Sequence, residues 1–188
     1  TNALIGPSIT TPWTVAADGP NVIVTSWMAN LVQVWDPAAN AEVASWPDFA
    51  GPVNAIRFGA DLVVAELGTG SVVRQTTAGS RTTIASGLYV PSGLAATNDD
   101  LWVTDWASGI VWRIVTDGAP SLVPVAMGLA NPEGLAVDRD GSLLVVESGA
   151  GRLTRILPSG ATVTVADGLA LGAPAHPSAP PAWAFNGV

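Results

Sequence analysis

The sequence has 188 residues, 48% of them hydrophobic, and a formal net charge of −8. This length and composition allow one substantial core, and no apolar run reaches the about 18 residues that a membrane-spanning helix needs. The basic residues are seven arginines scattered singly along the chain, so no basic stripe could neutralise a nucleic-acid backbone. We therefore expect a soluble globular protein that binds neither nucleic acid nor membrane.

The chain contains no cysteine, and its first residue is Thr1. The redox compartment therefore cannot be read from thiols, and no signal peptide is present to decide the location. An exported bacterial protein without its signal peptide and a segment of a longer chain would both begin in this way.

Four related stretches of about forty residues follow one another along the chain. They begin TPWTVAADG at Thr11, GPVNAIRFG at Gly51, VPSGLAATN at Val90 and NPEGLAVDR at Asn131. Their anchoring prolines, Pro12, Pro52, Pro91 and Pro132, are 40, 39 and 41 residues apart. We assign repeats to residues 11–49, 50–88, 89–129 and 130–169, with a partial fifth at 170–188.

Each repeat consists of short runs rich in Val, Ile, Leu, Thr and Trp, separated by Gly, Asn and Asp. In the fourth repeat the predicted strands are strand a from Gly134 to Asp138, strand b from Ser142 to Glu147, strand c from Arg152 to Leu157 and strand d from Ala161 to Ala166. The turn before the third strand carries a residue that tolerates a positive φ in every repeat, namely Asn30, Gly70, Gly109 and Gly151. Four-stranded antiparallel meanders repeated at this period predict an all-β fold, a β-propeller with four blades and the start of a fifth.

The last residues, Phe185 to Val188 (FNGV), align with the opening of a blade's innermost strand. A six-bladed ring would need roughly 240 residues at this period. We therefore expect the remaining blades to come from the same chain beyond Val188, or from another chain. A native mass equal to the 19.0 kDa of this sequence would contradict the first alternative.

The start of strand a and the end of strand b share one rim of a blade, because the two strands are antiparallel. The predicted pairs at this rim are Trp13 with Ser26, Val53 with Glu66, Ser92 with Asp105 and Glu133 with Glu147. Asn186 would join Ser92 and Glu133 near the axis. A carboxylate that closes a strand commonly accepts backbone amides, so for Glu66, Asp105 and Glu147 the simpler interpretation is a structural role.

A proline-rich connection, Leu171 to Phe185, enlarges the link into the fifth blade and carries the only histidine, His176. It is either a wall of a substrate pocket or an inert insertion. Tryptophans within strands, Trp35, Trp102 and Trp112, are expected to pack the blades. Those at the rim, Trp27, Trp106 and Trp183, are candidates to line a pocket.

Glu133 and Asn186 occupy the same strand-a position in successive repeats, each before a glycine. Oxygen ligands from adjacent blades are what a hard cation such as Ca²⁺ requires. The alternative is local: Glu133 accepts hydrogen bonds from nearby backbone, and Asn186 turns the chain beside Gly187.

The stretches NPEGLAVDRDGSLLVVESGAGRLTRILPSG and AWAFNGV resemble the senescence-marker-protein/gluconolactonase family of six-bladed propellers and, more loosely, NHL-type and streptogramin-lyase-like propellers. The resemblance implies a lactone hydrolase that holds one divalent cation, Ca²⁺ or Zn²⁺, through Glu, Asn and Asp side chains. Glu133 and Asn186 match the Glu and Asn positions. No Asp-Gly pair opens a strand a here, and Trp13 stands where the family has its Glu, so the catalytic residue stays unassigned.

Two classes of function remain. The first is a metal-dependent hydrolase of a lactone or similar small ester, with Glu133 and Asn186 as ligands and a pocket formed by Ser92, Asp105, Trp106, Glu147, His176 and Trp183. The second is a non-catalytic NHL-like propeller that binds a ligand or protein at its acidic rim. A streptogramin-lyase-like enzyme is a third interpretation, and it would require a catalytic histidine on a later blade.

Overall fold

The computed structural model describes residues 9–171, and the predictions for His176, Trp183 and Asn186 lie outside them. The chain divides into two compact units, one up to Gly87 and one from Leu88 onward. Within the described range no helix is long and apolar enough to cross a membrane.

The first unit contains two four-stranded antiparallel sheets, each a meander in chain order. Blade 1 consists of β1 (Pro12–Asp18), β2 (Asn21–Ser26), β3 (Leu31–Asp36) and β4 (Ala41–Trp46). Blade 2 consists of β5 (Pro52–Phe58), β6 (Asp61–Glu66), β7 (Ser71–Gln75) and β8 (Arg81–Ser86). The core of the first unit, shared by blades 1 and 2, contains Ile23, Val32, Val34, Phe49, Ala55, Leu62, Val64 and Val73.

The second unit repeats this arrangement. Blade 3 consists of β9 (Pro91–Ala96), β10 (Leu101–Asp105), β11 (Ile110–Thr116) and β12 (Ala119–Ala126). Blade 4 consists of β13 (Pro132–Val137), β14 (Leu143–Glu147), β15 (Arg152–Ile156) and β16 (Thr162–Ala166). The core of the second unit, shared by blades 3 and 4, contains Ala95, Trp102, Val111, Ala126, Leu129, Leu135, Leu143, Val145 and Ile156.

The predicted meander is confirmed in all four repeats. In blade 4 the observed strand ends differ by at most two residues from the predicted ones. The turn before the third strand has the predicted positive φ, 54° at Asn30, 59° at Gly70, 69° at Gly109 and 60° at Gly151. A left-handed residue at this position lets the chain reverse tightly between strands b and c.

Within each unit, hydroxyl side chains join the first strands of the two blades. In the first unit Thr14 Oγ1 donates to the Val53 carbonyl at 3.0 Å. In the second, Ser92 Oγ donates to the Pro132 carbonyl at 3.1 Å. An ion pair between Arg57 and Asp18, with an N to O distance of 3.0 Å, adds a further link between blades 1 and 2.

Candidate functional site

The rim formed by the start of strand a and the end of strand b holds the predicted site residues. The observed partners of Ser26, Glu66, Asp105 and Glu147 are the anchoring prolines Pro12, Pro52, Pro91 and Pro132. The predicted pairs were therefore one residue too late. Each ladder has a register shift beside this pair, a β-bulge that changes which residues oppose one another.

Glu133 follows the anchoring proline of blade 4, and only 5% of its surface is exposed. Trp106, directly after strand b of blade 3, donates from Nε1 to Glu133 Oε1 at 3.2 Å. The same Nε1 lies 3.3 Å from Ser148 Oγ. The neighbouring blade therefore holds this carboxylate through a side chain.

The backbone of Glu133 is also fixed by blade 3. Thr104 Oγ1 donates to the Glu133 carbonyl at 2.7 Å and accepts from the Gly93 amide at 2.6 Å. Gly93 allows this approach, because a Cβ there would lie 2.1 Å from the Glu133 carbonyl oxygen. Thr104 and Gly93 therefore position Glu133, and sequence reasoning missed both. The signal was a hydroxyl residue inside strand b, Thr25 in blade 1 and Thr104 in blade 3.

Ser92 is 3% exposed and lies between blades 3 and 4. Its Oγ is 2.8 Å from Thr104 Oγ1, in addition to its bond to the Pro132 carbonyl. These contacts connect the two blades, so the structure places Ser92 in the packing beside the rim.

Asp105 is 1% exposed and binds the segment that enters its own blade. Its Oδ2 accepts from the Tyr89 amide at 3.0 Å and its Oδ1 from the Val90 amide at 2.8 Å. In blade 2, Glu66 likewise binds the entering segment, since it accepts from the Ala50 amide at 3.0 Å. Glu66 also accepts from Thr69 Oγ1, in the turn after strand b, at 2.8 Å.

Glu147 ends strand b of blade 4 and is fully buried. Its Oε1 accepts from Arg152 Nε at 2.8 Å and from Thr154 Oγ1. Its Oε2 accepts from Arg152 Nη2 at 2.9 Å and from the Ala130 amide at 2.7 Å. Burial opposes ionisation, but the bonds from Arg152, Thr154 and the Ala130 amide outweigh it and hold the pKa of Glu147 below its usual value.

The carboxylates that end strand b therefore share one structural function. In blades 2, 3 and 4 each accepts a backbone amide from the segment just before strand a. These amides lie outside the strand ladders and need such acceptors. The amides lie in the preceding loop, whereas a turn directly after the strand is the commoner source.

The tryptophans divide between packing and the rim. Trp35 and Trp102 are buried, at 3% and 5% exposure, and Trp112 is half-buried. At the rim, the rings of Trp13 and Trp27 lie 5.4 Å apart in blade 1. Trp106 is half-buried beside Glu133. Of the rim tryptophans described, Trp106 is the one that contacts a predicted site residue.

The described residues do not fit a complete metal site. Over residues 9–171 no group of three or more His, Cys, Asp or Glu side chains is arranged to hold a metal ion. Asp105 and Glu147 already bind amides of their own blades. Glu133 is the described residue that could contribute a ligand oxygen, and Asn186 and His176 lie outside the described range.

No protein-family model and no curated protein matches the sequence. Among solved structures, the chain is similar to a streptogramin B lyase, with a TM-score of 0.71, 16% identity, and coverage of 85% of this chain and 55% of that one. A nidogen in a nidogen/laminin complex gives a TM-score of 0.75, 19% identity, and coverage of 86% and 66%. A candidate gluconolactonase gives a TM-score of 0.68 and 19% identity, and the match covers 87% of this chain and 65% of that one.

The chain thus spans between about half and two thirds of the length of these structures. At these identities the likeness concerns the fold. The predicted resemblance to gluconolactonase-like and streptogramin-lyase-like propellers is confirmed at that level, and the chain has the β-propeller fold.

Proposed function

We propose that this propeller is an enzyme that hydrolyses a lactone or a similar small ester at the rim that carries Glu133. The main observation in support is that Glu133 is a buried carboxylate at a position where the other blades have none. The corresponding residues in the other blades are Trp13, Val53 and Ser92. The carboxylate is held by Trp106 of the neighbouring blade, and a buried carboxylate that the other blades lack favours a functional reason for Glu133.

The chemistry required is the addition of water across an acyl carbon to oxygen bond. The water oxygen bonds to the carbonyl carbon, and the bond between that carbon and the ring oxygen breaks. A proton of the water passes to the ring oxygen, and a hydroxy acid is released. Glu133 would accept a hydrogen bond from the substrate or from the attacking water, with Trp106 orienting its carboxylate. The fold shared with a candidate gluconolactonase supports this class of reaction.

A divalent cation, Ca²⁺ or Zn²⁺, belongs to this proposal as a requirement. When bound, it would supply a Lewis acid. The described residues do not form a ligand set, so Glu133 would be one ligand and Asn186, outside the described range, another.

The test is lactone turnover by the native protein. Gluconolactone and δ-valerolactone are supplied with Ca²⁺, with Zn²⁺ or with a chelator, and the released acid is followed with a pH indicator. Glu133→Gln should lower kcat/KM by about a hundredfold or more, as loss of a preorganised site group does. The matched control is Glu42→Gln on exposed β4, which should leave turnover unchanged. An unchanged rate in Glu133→Gln would overturn the assignment.

The second candidate is a non-catalytic propeller that binds a ligand or protein at the same rim. It is favoured by the structural use of Glu66, Asp105 and Glu147, and by the similar fold of a nidogen seen in complex with laminin. No turnover of either lactone, together with no heat on titration with Ca²⁺ or Zn²⁺, would favour this candidate. A streptogramin-lyase-like reaction would need a histidine, and His176 is the only one in the sequence.

The proposal includes further blades, from the same chain or another, that complete the substrate site. The native mass should then exceed 19.0 kDa, which light scattering on the purified protein measures directly.

A further inference from the structure

A groove of about 250 Å³ lies between blades 3 and 4, away from the Glu133 rim. Blade 4 lines it with Leu143, at the beginning of strand b, and with the turn that includes Pro158 and Gly160. Blade 3 supplies Trp102 and Arg113. Leu143 and Glu147 are opposite ends of β14, so the groove and the candidate hydrolase site are at opposite ends of the strands.

The groove contains a cation without a counter-ion among residues 9–171. The Arg113 guanidinium lies over the ring of Trp102, with Cζ 5.6 Å from the ring centroid. Its Nε is shielded from solvent and has no hydrogen-bond partner in the described part of the chain. A buried donor without an acceptor costs about 1–3 kcal/mol. The Nε of Arg155 in blade 4 also has no partner among the described residues, so the feature particular to Arg113 is a charge that no described carboxylate neutralises.

The repeats provide a comparison within the molecule. Arg74 and Arg155 occupy the same place as Arg113, four residues after the left-handed residue that precedes strand c. Arg74 pairs with Asp61 at 2.7 Å, and Arg155 pairs with Asp138 and Asp140.

Blade 3 has an aspartate, Asp100, at the place of Asp61, but that carboxylate is used differently. Its Oδ1 accepts from the Asp117 amide at 3.2 Å. Arg113 is thus the strand-c arginine that is directed to the groove while its two counterparts are neutralised within their blades.

The rest of the groove combines apolar side chains with the polar groups of the turn around Ser159. Pro124, Leu143, Ile156, Leu157 and Pro158 line it, together with Trp102. A guanidinium presents two parallel N–H groups, which match the two oxygens of a carboxylate. The volume is just below the about 300 Å³ at which small-molecule pockets begin, which favours a short ligand.

We propose that this groove binds a carboxylate attached to a short apolar body, with the carboxylate on Arg113 and the body against Trp102, Leu143 and Ile156. Such a group occurs on free organic acids and at the C-terminus of a peptide with an apolar last residue. The groove recognises the chemistry that both share, and the experiment separates the two sources.

The experiment is calorimetric titration of the 188-residue chain with 3-phenylpropanoate and with its neutral analogue, 3-phenylpropanamide. The acid should bind about tenfold or more tightly than the amide, because charge-assisted hydrogen bonds to Arg113 are lost in the amide. Arg113→Gln should reduce the affinity for the acid to that for the amide. Arg139→Gln removes the same charge from an exposed turn residue and should leave both affinities unchanged.

A third ligand, N-acetyl-leucyl-phenylalanine with a free carboxylate, identifies the source. Tighter binding of this peptide than of 3-phenylpropanoate assigns the groove to a peptide C-terminus, and weaker binding assigns it to a free acid. Equal affinity for the acid and the amide in the unmodified chain, or no binding of any of the three, overturns the proposal. This comparison decides the question even if Arg113→Gln fails to fold.

Discussion

Glu147→Gln should destabilise the second unit, because no orientation of the new amide satisfies its surroundings. Each carboxylate oxygen of Glu147 accepts two hydrogen bonds, from Arg152 and Thr154 on one side and from Arg152 and Ala130 on the other. A glutamine offers one acceptor oxygen and one NH₂ group. At the Oε2 position the NH₂ group would face two donors, Arg152 and the Ala130 amide. At the Oε1 position the Thr154 hydroxyl can turn and accept, but the Arg152 Nε–H still has no acceptor. At least one hydrogen bond is therefore lost, and the remaining ones lose their charge.

The expected magnitude follows from the lost hydrogen bond and from the lost charge on the remaining ones. Hydrogen bonds to a charged group contribute about 1.5–3 kcal/mol each. Arg152 is 37% exposed and can regain water, so its share is discounted. We expect a loss of about 2–4 kcal/mol in the free energy of unfolding, or roughly 5–10 °C in Tm for a chain of this size.

The effect should depend on pH with a definite sign. The folded pKa of Glu147 is lowered from its ordinary value of 4.5, so its carboxylate stabilises the fold above about pH 4.5. That contribution is lost as the pH falls through the lowered folded value. The difference between the original chain and Glu147→Gln should therefore shrink progressively below pH 4.5.

Urea denaturation followed by tryptophan fluorescence between pH 7 and pH 3 measures both quantities. Asp167→Asn is the control and should change the free energy of unfolding by less than about 1 kcal/mol, because Asp167 is exposed after β16 in the same unit. The reasoning is refuted if Glu147→Gln behaves like Asp167→Asn at pH 7, or if its deficit is the same at pH 3.

Two further substitutions test how blade 3 positions Glu133. Gly93→Ala would place a Cβ 2.1 Å from the Glu133 carbonyl oxygen, and we expect a loss of roughly 3 kcal/mol or more in thermal or urea unfolding. Gly19→Ala is its control: nothing lies within 4 Å, so the positive φ of 62° should cost only about 1 kcal/mol, and an equal loss in both would contradict the packing argument. Thr104→Val removes the hydroxyl bonded to Gly93 and Glu133 and should cost about 1–3 kcal/mol, against almost none for exposed Thr82→Val; equal stability of the two variants would show that the hydroxyl does not position Glu133.

The sequence predicted the fold well because the blade is specified locally. The forty-residue period, the short β-rich runs and a residue tolerant of positive φ before each strand c were sufficient to place the strands. The register at the rim was one residue off. A β-bulge beside the anchoring proline leaves no clear mark in the hydrophobic pattern.

The site was less predictable because its contacts are distant in sequence. Asp105 binds the amides of Tyr89 and Val90, which lie 16 and 15 residues earlier, and Thr104 binds the carbonyl of Glu133, 29 residues later. Composition and spacing identify a carboxylate at a strand end, but they do not say which amide it meets. Arg113 shows the same limit, since its counterparts Arg74 and Arg155 pair with aspartates, whereas Arg113 has no acid partner among residues 9–171.

The repeats themselves separate structural residues from candidate functional ones. A side chain that recurs with the same contact in several blades is explained by the blade, and the strand-b carboxylates Glu66, Asp105 and Glu147 meet this criterion. A side chain that departs from its counterparts needs another explanation. Glu133 is an acidic residue where the other blades have none. Arg113 differs from its counterparts because it has no acid partner among residues 9–171. Because the two lie at opposite ends of the strands, loss of one site need not impair the other, and the variants Glu133→Gln and Arg113→Gln should have independent effects.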